Sequence, residues 1–444
     1  MTGIVPAVPV LWSRRVVIRF EQERFFRVSV CLSAIAVAML SACGGATGES
    51  AESIYQASAG NGAVQVAAGG RRSRWVGSRQ GESDSIEVVA VAQAPATPLI
   101  DPVVAAAPGA PTNVPVVTTR SGINVDTTNL PVPKPGVNAV MLTAPGEIPP
   151  RHTDSFEDGA FRLLCNWAKM SFDDPIVYPG QPGLAHHHTF FGNTAIDAYT
   201  TPENIRSKGN ASCRGGTVNL SGYWVPSMID TTTSQPLAPN DLIVYYKTGY
   251  WTWLGDHDTN PIRPFPKGLR MITGNSAGSV PNSEVYFECR PVGQERRPGF
   301  GSSIPACVQG DQLRVVINFP QCWDGVNLDS PDHKSHMAGV VGWGQSPDPQ
   351  RQMRCPTTHP VVLPRVSFTV EYPVPAGADT TKWRLSSDTY DRALPGGYSF
   401  HADWMNGWDP AISDLWGNKC MQERRECGSY NLGDGRVSIE FQGN

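Results

Sequence analysis

The sequence predicts a mainly β fold, an antiparallel β-sandwich of jelly-roll type with long loops and several disulfides. Three observations predict it. Gly (44) and Pro (39) are abundant in 444 residues, a composition that favours loop-rich β structure over helical bundles. Short β-branched or alternating runs recur, among them "GTVNLSGYWVPSM", "DLIVYYKTGYWTW", "SEVYFECR", "QLRVVINF" and "HPVVLPRVSFTVEYPV", and Pro, Gly, Asn and Asp clusters separate them. Eight cysteines (165, 213, 289, 307, 322, 355, 420 and 427) fall in the C-terminal part. That even number suits a disulfide framework in an oxidising compartment. Sequence proximity favours Cys289–Cys307, Cys322–Cys355 and Cys420–Cys427. No CxxC pair is present, which argues against a cysteine zinc site. Helical signals are weak, "DGAFRLLCNWAKM" being the best of them.

The N-terminus reads as an export signal over residues 1–42. Arg24 and Arg27 precede the apolar run "VSVCLSAIAVAML", in the order of a secretory n-region and h-region. The run ends in Leu40-Ser41-Ala42-Cys43, the pattern of a bacterial lipoprotein signal. The expectation is a lipid on Cys43 that anchors the chain at the cell surface or outer membrane. An ordinary signal peptide or a single anchoring helix is the competing reading. Residues 43–150 are rich in Ala, Pro, Gly and Val, without sustained periodicity, and read as a tether. From 151 to 444 the composition changes to that of one β-rich domain. Ten of the twelve Trp and eight of the nine His lie from residue 153 onward. Net charge is −4 with no basic run, so nucleic acid is not an expected partner.

Four segments carry candidate chemistry. In "PGLAHHHTFFGN", His186 and His188 share one face if the segment is extended and His187 takes the other; Asn193 closes it as a candidate ligand contact. "CWDGVNLDSPDHKSH" holds three aspartates and two histidines in fifteen residues. Asp324, Asp329 and Asp332 are candidate acids or bases, His333 and His336 candidate proton carriers, and Trp323 and Asn327 candidate substrate contacts. A loop held by Asx-turns would need the same residues. In "YSFHADWMNGWD", His401 and Asp403 have i, i+2 spacing, Asn406-Gly407 is a turn signal, and Trp404 and Asn406 are candidate substrate contacts. "YYKTGYWTW" offers Lys247 beside aromatics that would be either core or a stacking platform for sugars.

These motifs, with "FDDPIVYPGQPGLAHHHTFFGN", "YWVPSM", "CPTTHPVVLPRVSF" and the segments above in the same order, resemble domain-of-unknown-function family nineteen-ninety-six, secreted proteins of fungi and bacteria. The resemblance spans nearly all of 153–410. His187 departs from the family's more usual apolar residue, which leaves His186 and His188 as the matching pair. Fungal members often carry WSC-type modules thought to bind wall glycans, so the resemblance implies an extracellular place and a link to polysaccharide. It brings no catalytic residues.

Three functions follow as expectations. The first is an enzyme that cleaves extracellular or cell-wall polysaccharide by hydrolysis or elimination. It would use a pair drawn from Asp324, Asp329, Asp332 and Asp403, with His188, His333, His336 or His401 moving protons and Lys247 a candidate base. The second is a glycan-binding module without turnover. The third is a metal-binding surface protein with ligands from His186, His188, His333 and His401, a donor set that suits a divalent transition metal.

Overall fold

The structure is a computed structural model. It describes residues 122–152, 159–249, 260–291, 300–342, 353–428 and 430–440, with the backbone of short strands at 58–59, 62–63 and 116–118. The export signal, Cys43, most of the tether and Tyr250 to Trp253 lie outside the described residues. The chain divides into two compact units, Met1–Ala94 and Pro95–Asn444. In the first, Ser58–Ala59 pairs with Gly62–Ala63.

Two large antiparallel sheets, with smaller ones beside them, build the second unit. Their strands, in chain order, are β1 (Ala160–Cys165), β2 (Trp167–Ser171), β3 (His188–Gly192), β4 (Gly222–Pro226), β5 (Asp241–Lys247), β6 (Arg270–Gly274), β7 (Val285–Pro291), β8 (Phe300–Gly301), β9 (Asp311–Asn318), β10 (Arg365–Pro373) and β11 (His401–Met405). One sheet runs β8-β7-β9-β10-β5-β1 and the other β6-β11-β4-β3-β2. The mainly β, antiparallel, disulfide-rich fold is therefore as the sequence predicts.

Alternation decides which side chains turn inward. Phe161 and Leu163 of β1, Leu242, Val244 and Tyr246 of β5 and Val366, Phe368, Val370 and Tyr372 of β10 are all buried in one core. Across from them, Phe191, Tyr223, Val225, Met271, Ala402 and Trp404 supply the other sheet's half of it. The segment "DGAFRLLCNWAKM", the best helical candidate, is instead two strands, β1 and β2. The burial of β1 alternates strictly, Phe161, Leu163 and Cys165 inward, so the period is 2 and the sheet overrides a weak helical preference. The α-helix among the described residues, Pro410–Trp416, is capped by Asp409, whose side chain accepts from the Ala411 amide, with Pro at the first turn, a start signal legible in the sequence.

All eight cysteines pair: Cys165–Cys213, Cys289–Cys307, Cys322–Cys355 and Cys420–Cys427. Residues 122–150, expected in the tether, run instead along the domain. Ile123 and Val125 are buried with Ile229, and Val137, Val140 and Leu142 bridge Ala211, Gly216 and Ser438. The apolar residues of this stretch are too widely spaced to show a period, so composition alone did not separate a strap from a tether.

The outer face of the five-stranded sheet is also covered. β3, β4 and β11 are buried at every residue. Phe190, Trp224 and Met405 on that face join Ile176, Ile196 and Ile205 from the covering loops in a second apolar cluster. A face that would ordinarily meet water thus becomes a dry site.

Candidate functional site

His188, His401 and Asp403 lie on this covered outer face. Alternation along β11 puts His401, Asp403 and Met405 on one side and Ala402 and Trp404 on the other. The register that pairs His188 with Pro226 and Asp403 with Trp224 brings His188 and His401 to either side of β4. His186 reaches the same face from just before β3. The ring centroids are 4.2 Å apart for His186–His188, 4.8 Å for His186–His401 and 5.8 Å for His188–His401. His187 points the opposite way, its Nδ1 3.0 Å from Ser227 Oγ and its ring edge-on to Phe172. The i, i+2 reading of the three histidines therefore holds.

Backbone carbonyls orient two of the rings. His188 Nδ1 donates to the Asp173 carbonyl and His401 Nδ1 to the Ser399 carbonyl, both at 2.9 Å. With the protons held there, the Nε2 lone pairs face the cluster, the tautomer a ligating histidine needs. His186 Nε2 and His401 Nε2 are 3.1 Å apart. His188 Nε2 is buried with no hydrogen-bond partner. Both Asp403 carboxyl oxygens are likewise buried and unpartnered, and Oδ2 lies 3.8 Å from His401 Nε2.

Burial dominates the electrostatics. It pushes His186 and His188 well below the ordinary imidazole range, with neighbouring imidazoles adding to the shift. It lowers His401 to about 4. It raises Asp403 well above the carboxylate range, Asp174 adding to the rise and Lys334 opposing it. It raises Asp174 to about 6, against hydrogen bonds from the Val177 and Ile176 amides. The set is therefore held neutral by desolvation, and a dication would reverse that preference.

The donor set fits a metal. The three ligand nitrogens all lie within 4.8 Å of one another. A tetrahedral ion with bonds of about 2.0–2.1 Å needs nitrogens roughly 3.3 Å apart, and His186 Nε2 and His401 Nε2 are 3.1 Å apart. Asp403 stands beside this set, its Oδ2 3.8 Å from His401 Nε2.

The acid- and imidazole-rich segment abuts this cluster but does not join it. Lys334 Nζ donates to the Gly274 carbonyl at 2.7 Å, on the residue paired with His401. His333 is not among the converging nitrogens. Its Nδ1 meets both Asp329 oxygens at 3.0 Å, and Arg270 pairs with the same carboxylate at 3.3 Å. His336 is buried, held by Ser330 Oγ at 2.9 Å and the Arg270 carbonyl at 2.7 Å. Asp324 caps a turn through the Val326 and Asn327 amides and Asn327 Nδ2. Partial burial pushes its carboxyl up, but those bonds outweigh it and hold it below the ordinary range. Asp332 is held down in the same way by Ser335 and Ser330. Trp323 Nε1 donates to the Asn327 carbonyl at 2.6 Å. These residues build the loop; local turns claim the same side chains that a catalytic reading would use.

The expected substrate contacts also move inward. Trp404 is fully buried in the core. Asn193 is buried, donating to the Ile205 and Lys208 carbonyls and accepting from the Ala195 amide. Asn406 donates to the Pro266 carbonyl and accepts from the Trp408 amide. These three serve packing and turns, so they offer no sugar platform. Lys247 sits on the outer face of the other sheet. Asp174, Lys334 and the carbonyls of Asp173 and Ser399 were missed; the paired aspartates after β2 were the only sequence signal, and carbonyl contacts leave none.

The His333–Asp329 contact predicts a pH dependence. Hydrogen bonding to Asp329 raises the His333 pKa above 6.5, partial burial opposing it. A raised histidine pKa stabilises the fold fully below about pH 6.5, and the gain is lost as pH rises through the folded value. Thermal melts of His333→Gln should show a flatter slope above pH 6.5 than the parent chain. Identical slopes would show that the pair contributes nothing.

Comparison with known proteins gives a family and no activity. No curated protein and no solved structure matches the chain. The family model described as Domain of unknown function (DUF1996) matches residues 174–408, a span that encloses His186, His188, His401 and Asp403, and the chain belongs to that family.

Proposed function

We propose that the domain holds a divalent transition metal through His186, His188, His401 and Asp403, and uses it to act on extracellular or cell-wall polysaccharide, displayed at the cell surface by a lipid on Cys43. One observation carries the metal reading. Two buried imidazoles, a half-buried third and a buried carboxyl lie together, two rings are pinned by carbonyls, and the inward atoms of His188 and Asp403 lack partners. An unpaired buried polar group costs roughly 1–3 kcal/mol, so three such atoms side by side call for a ligand that satisfies them together. An ion bound by imidazole and carboxylate of this kind is of the zinc, copper, iron or nickel class, and supplies Lewis-acid polarisation or an activated water. His186, the partly open member of the set, is where a substrate would approach. The polysaccharide part rests on the resemblance to secreted proteins that carry wall-binding modules, and on the disulfides, which suit an oxidising compartment.

The carboxylate-pair alternative is weaker. Asp324 and Asp332 are held ionised by turn hydrogen bonds and Asp329 is ion-paired, so none is placed as a general acid.

The test is elemental analysis of the full-length chain, produced with its disulfides formed and dialysed against zinc or copper. About one equivalent of metal per chain is expected. A folded protein that retains neither would remove this reading.

A further inference from the structure

We propose that the opposite face of the sandwich, at the β10-β5-β1 edge, binds acidic polysaccharide through Arg365, Lys247 and Arg162. Alternation sends Arg162, Tyr245, Lys247 and Arg365 to the outer face of the sheet, each part-exposed. Lys247 pairs in register with Arg365, and Tyr245 pairs with Arg162. Like charges placed directly opposite on neighbouring strands destabilise a sheet. An anion bound beside a lysine and an arginine so placed would relieve that cost. None of the three cations makes an ion pair among the described residues. The Nε atoms of both arginines are buried without a hydrogen-bond partner. A cavity of about 340 Å³ opens beside Arg162, lined also by Tyr245, Lys247, His152 and Glu426; Arg365 lies outside this lining, opposite Lys247 in register. Its one carboxylate, Glu426, is 3.1 Å from His152 Nε2, a neighbour in the same lining.

The three cations lie on consecutive strands; Lys247 stands directly opposite Arg365, and Arg162, opposite Tyr245, is its diagonal neighbour at about 7–8 Å. They span a line rather than a point, which suits carboxylates repeated along an extended chain better than a single small anion. Tyr245 lies between them, with Lys247 Nζ 5.5 Å from its ring centre, and gives a flat apolar patch against which a sugar ring packs. The net charge of −4 disfavours generalised attraction to polyanions, so recognition depends on this local row. The anion site stands on these observations; naming a glycan as its ligand rests on the polysaccharide reading above.

Affinity electrophoresis of the full-length chain tests it, in gels containing polygalacturonate, neutral dextran or polyglutamate, with EDTA throughout. Polygalacturonate should retard the protein, dextran should not, and polyglutamate should do so less. Arg162→Gln with Lys247→Gln should weaken polygalacturonate binding about tenfold or more, as expected when hydrogen bonds to charged groups are lost. Lys247→Arg should retain it. Unchanged retardation in the double variant, no retardation of the parent chain, or equal retardation by polyglutamate would each overturn the inference. The His cluster is untouched in these variants. A parent chain that binds polygalacturonate in EDTA but takes up no metal would leave this inference standing and remove the metal centre.

Discussion

His188→Ala and His401→Ala should each abolish stoichiometric metal uptake, and with it the rise in melting temperature that metal confers. Mutating a partner that only orients a ligand weakens metal binding about 10–100-fold, so removing a ligand should cost more than that. At a free metal concentration of about 100 times Kd, a bound ion stabilises the native state by roughly 2.7 kcal/mol, and this increment should vanish in both variants. The metal-free comparison separates a site from a core position. His188 Nε2 is buried and unsatisfied, and burial disfavours its charged form. Alanine therefore removes an unfavourable group together with some packing, and metal-free stability should change less than metal-bound stability. Asp403→Asn keeps the shape and removes the charge, and should weaken uptake without unfolding the domain. If both histidine variants bind metal as the parent does, the cluster is only a neutral polar patch under the covering loops.

Replacing both Cys165 and Cys213 with serine should lower stability by about 4 kcal/mol in the chain-entropy account of a 48-residue separation, read as a shift in the denaturant midpoint. The bridge sits where the chain leaves one sheet for the other. Cys165 ends β1, and after Asn166 the chain enters β2 of the opposing sheet. The Asn166 amide donates to the Ser212 carbonyl and the Arg214 amide to the Leu164 carbonyl, both at 2.9 Å, so the disulfide fastens a crossing that hydrogen bonds already align. Removing Cys420–Cys427, which closes only a 7-residue separation, should cost about 2 kcal/mol on the same account. Equal effects from the two bridges would show that loop length does not govern them.

Much of the fold was legible because its signals are local. Alternation in "DLIVYYK" or "QLRVVINF" reports a half-buried strand whatever surrounds it, and three of the four disulfides join cysteines close in sequence. The failures have equally physical causes. "AFRLLC" carries residues that suit a helix, and only its place at the edge of the six-stranded sheet made it a strand. Trp404 has the chemistry of a substrate contact, yet it lies on the inward side of β11, and Trp408 beside it is buried in the same core. Asp324 and Asp332 have the chemistry of acids, but neighbouring amides hold them ionised as turn caps.

For the candidate site the division is sharper. The sequence by itself determined that His186 and His188 share a face, that His401 and Asp403 share a face, and that the eight cysteines suit an oxidising compartment, because strand period and residue count are properties of short segments. Only the tertiary structure decided that these two faces are the same one, 215 residues apart from His186 to His401. Strand order and register bring them to either side of β4, and covering loops make the place dry. Burial then holds the imidazoles neutral and leaves the carboxyl unsatisfied, and burial is a property of the packed whole that no segment carries alone.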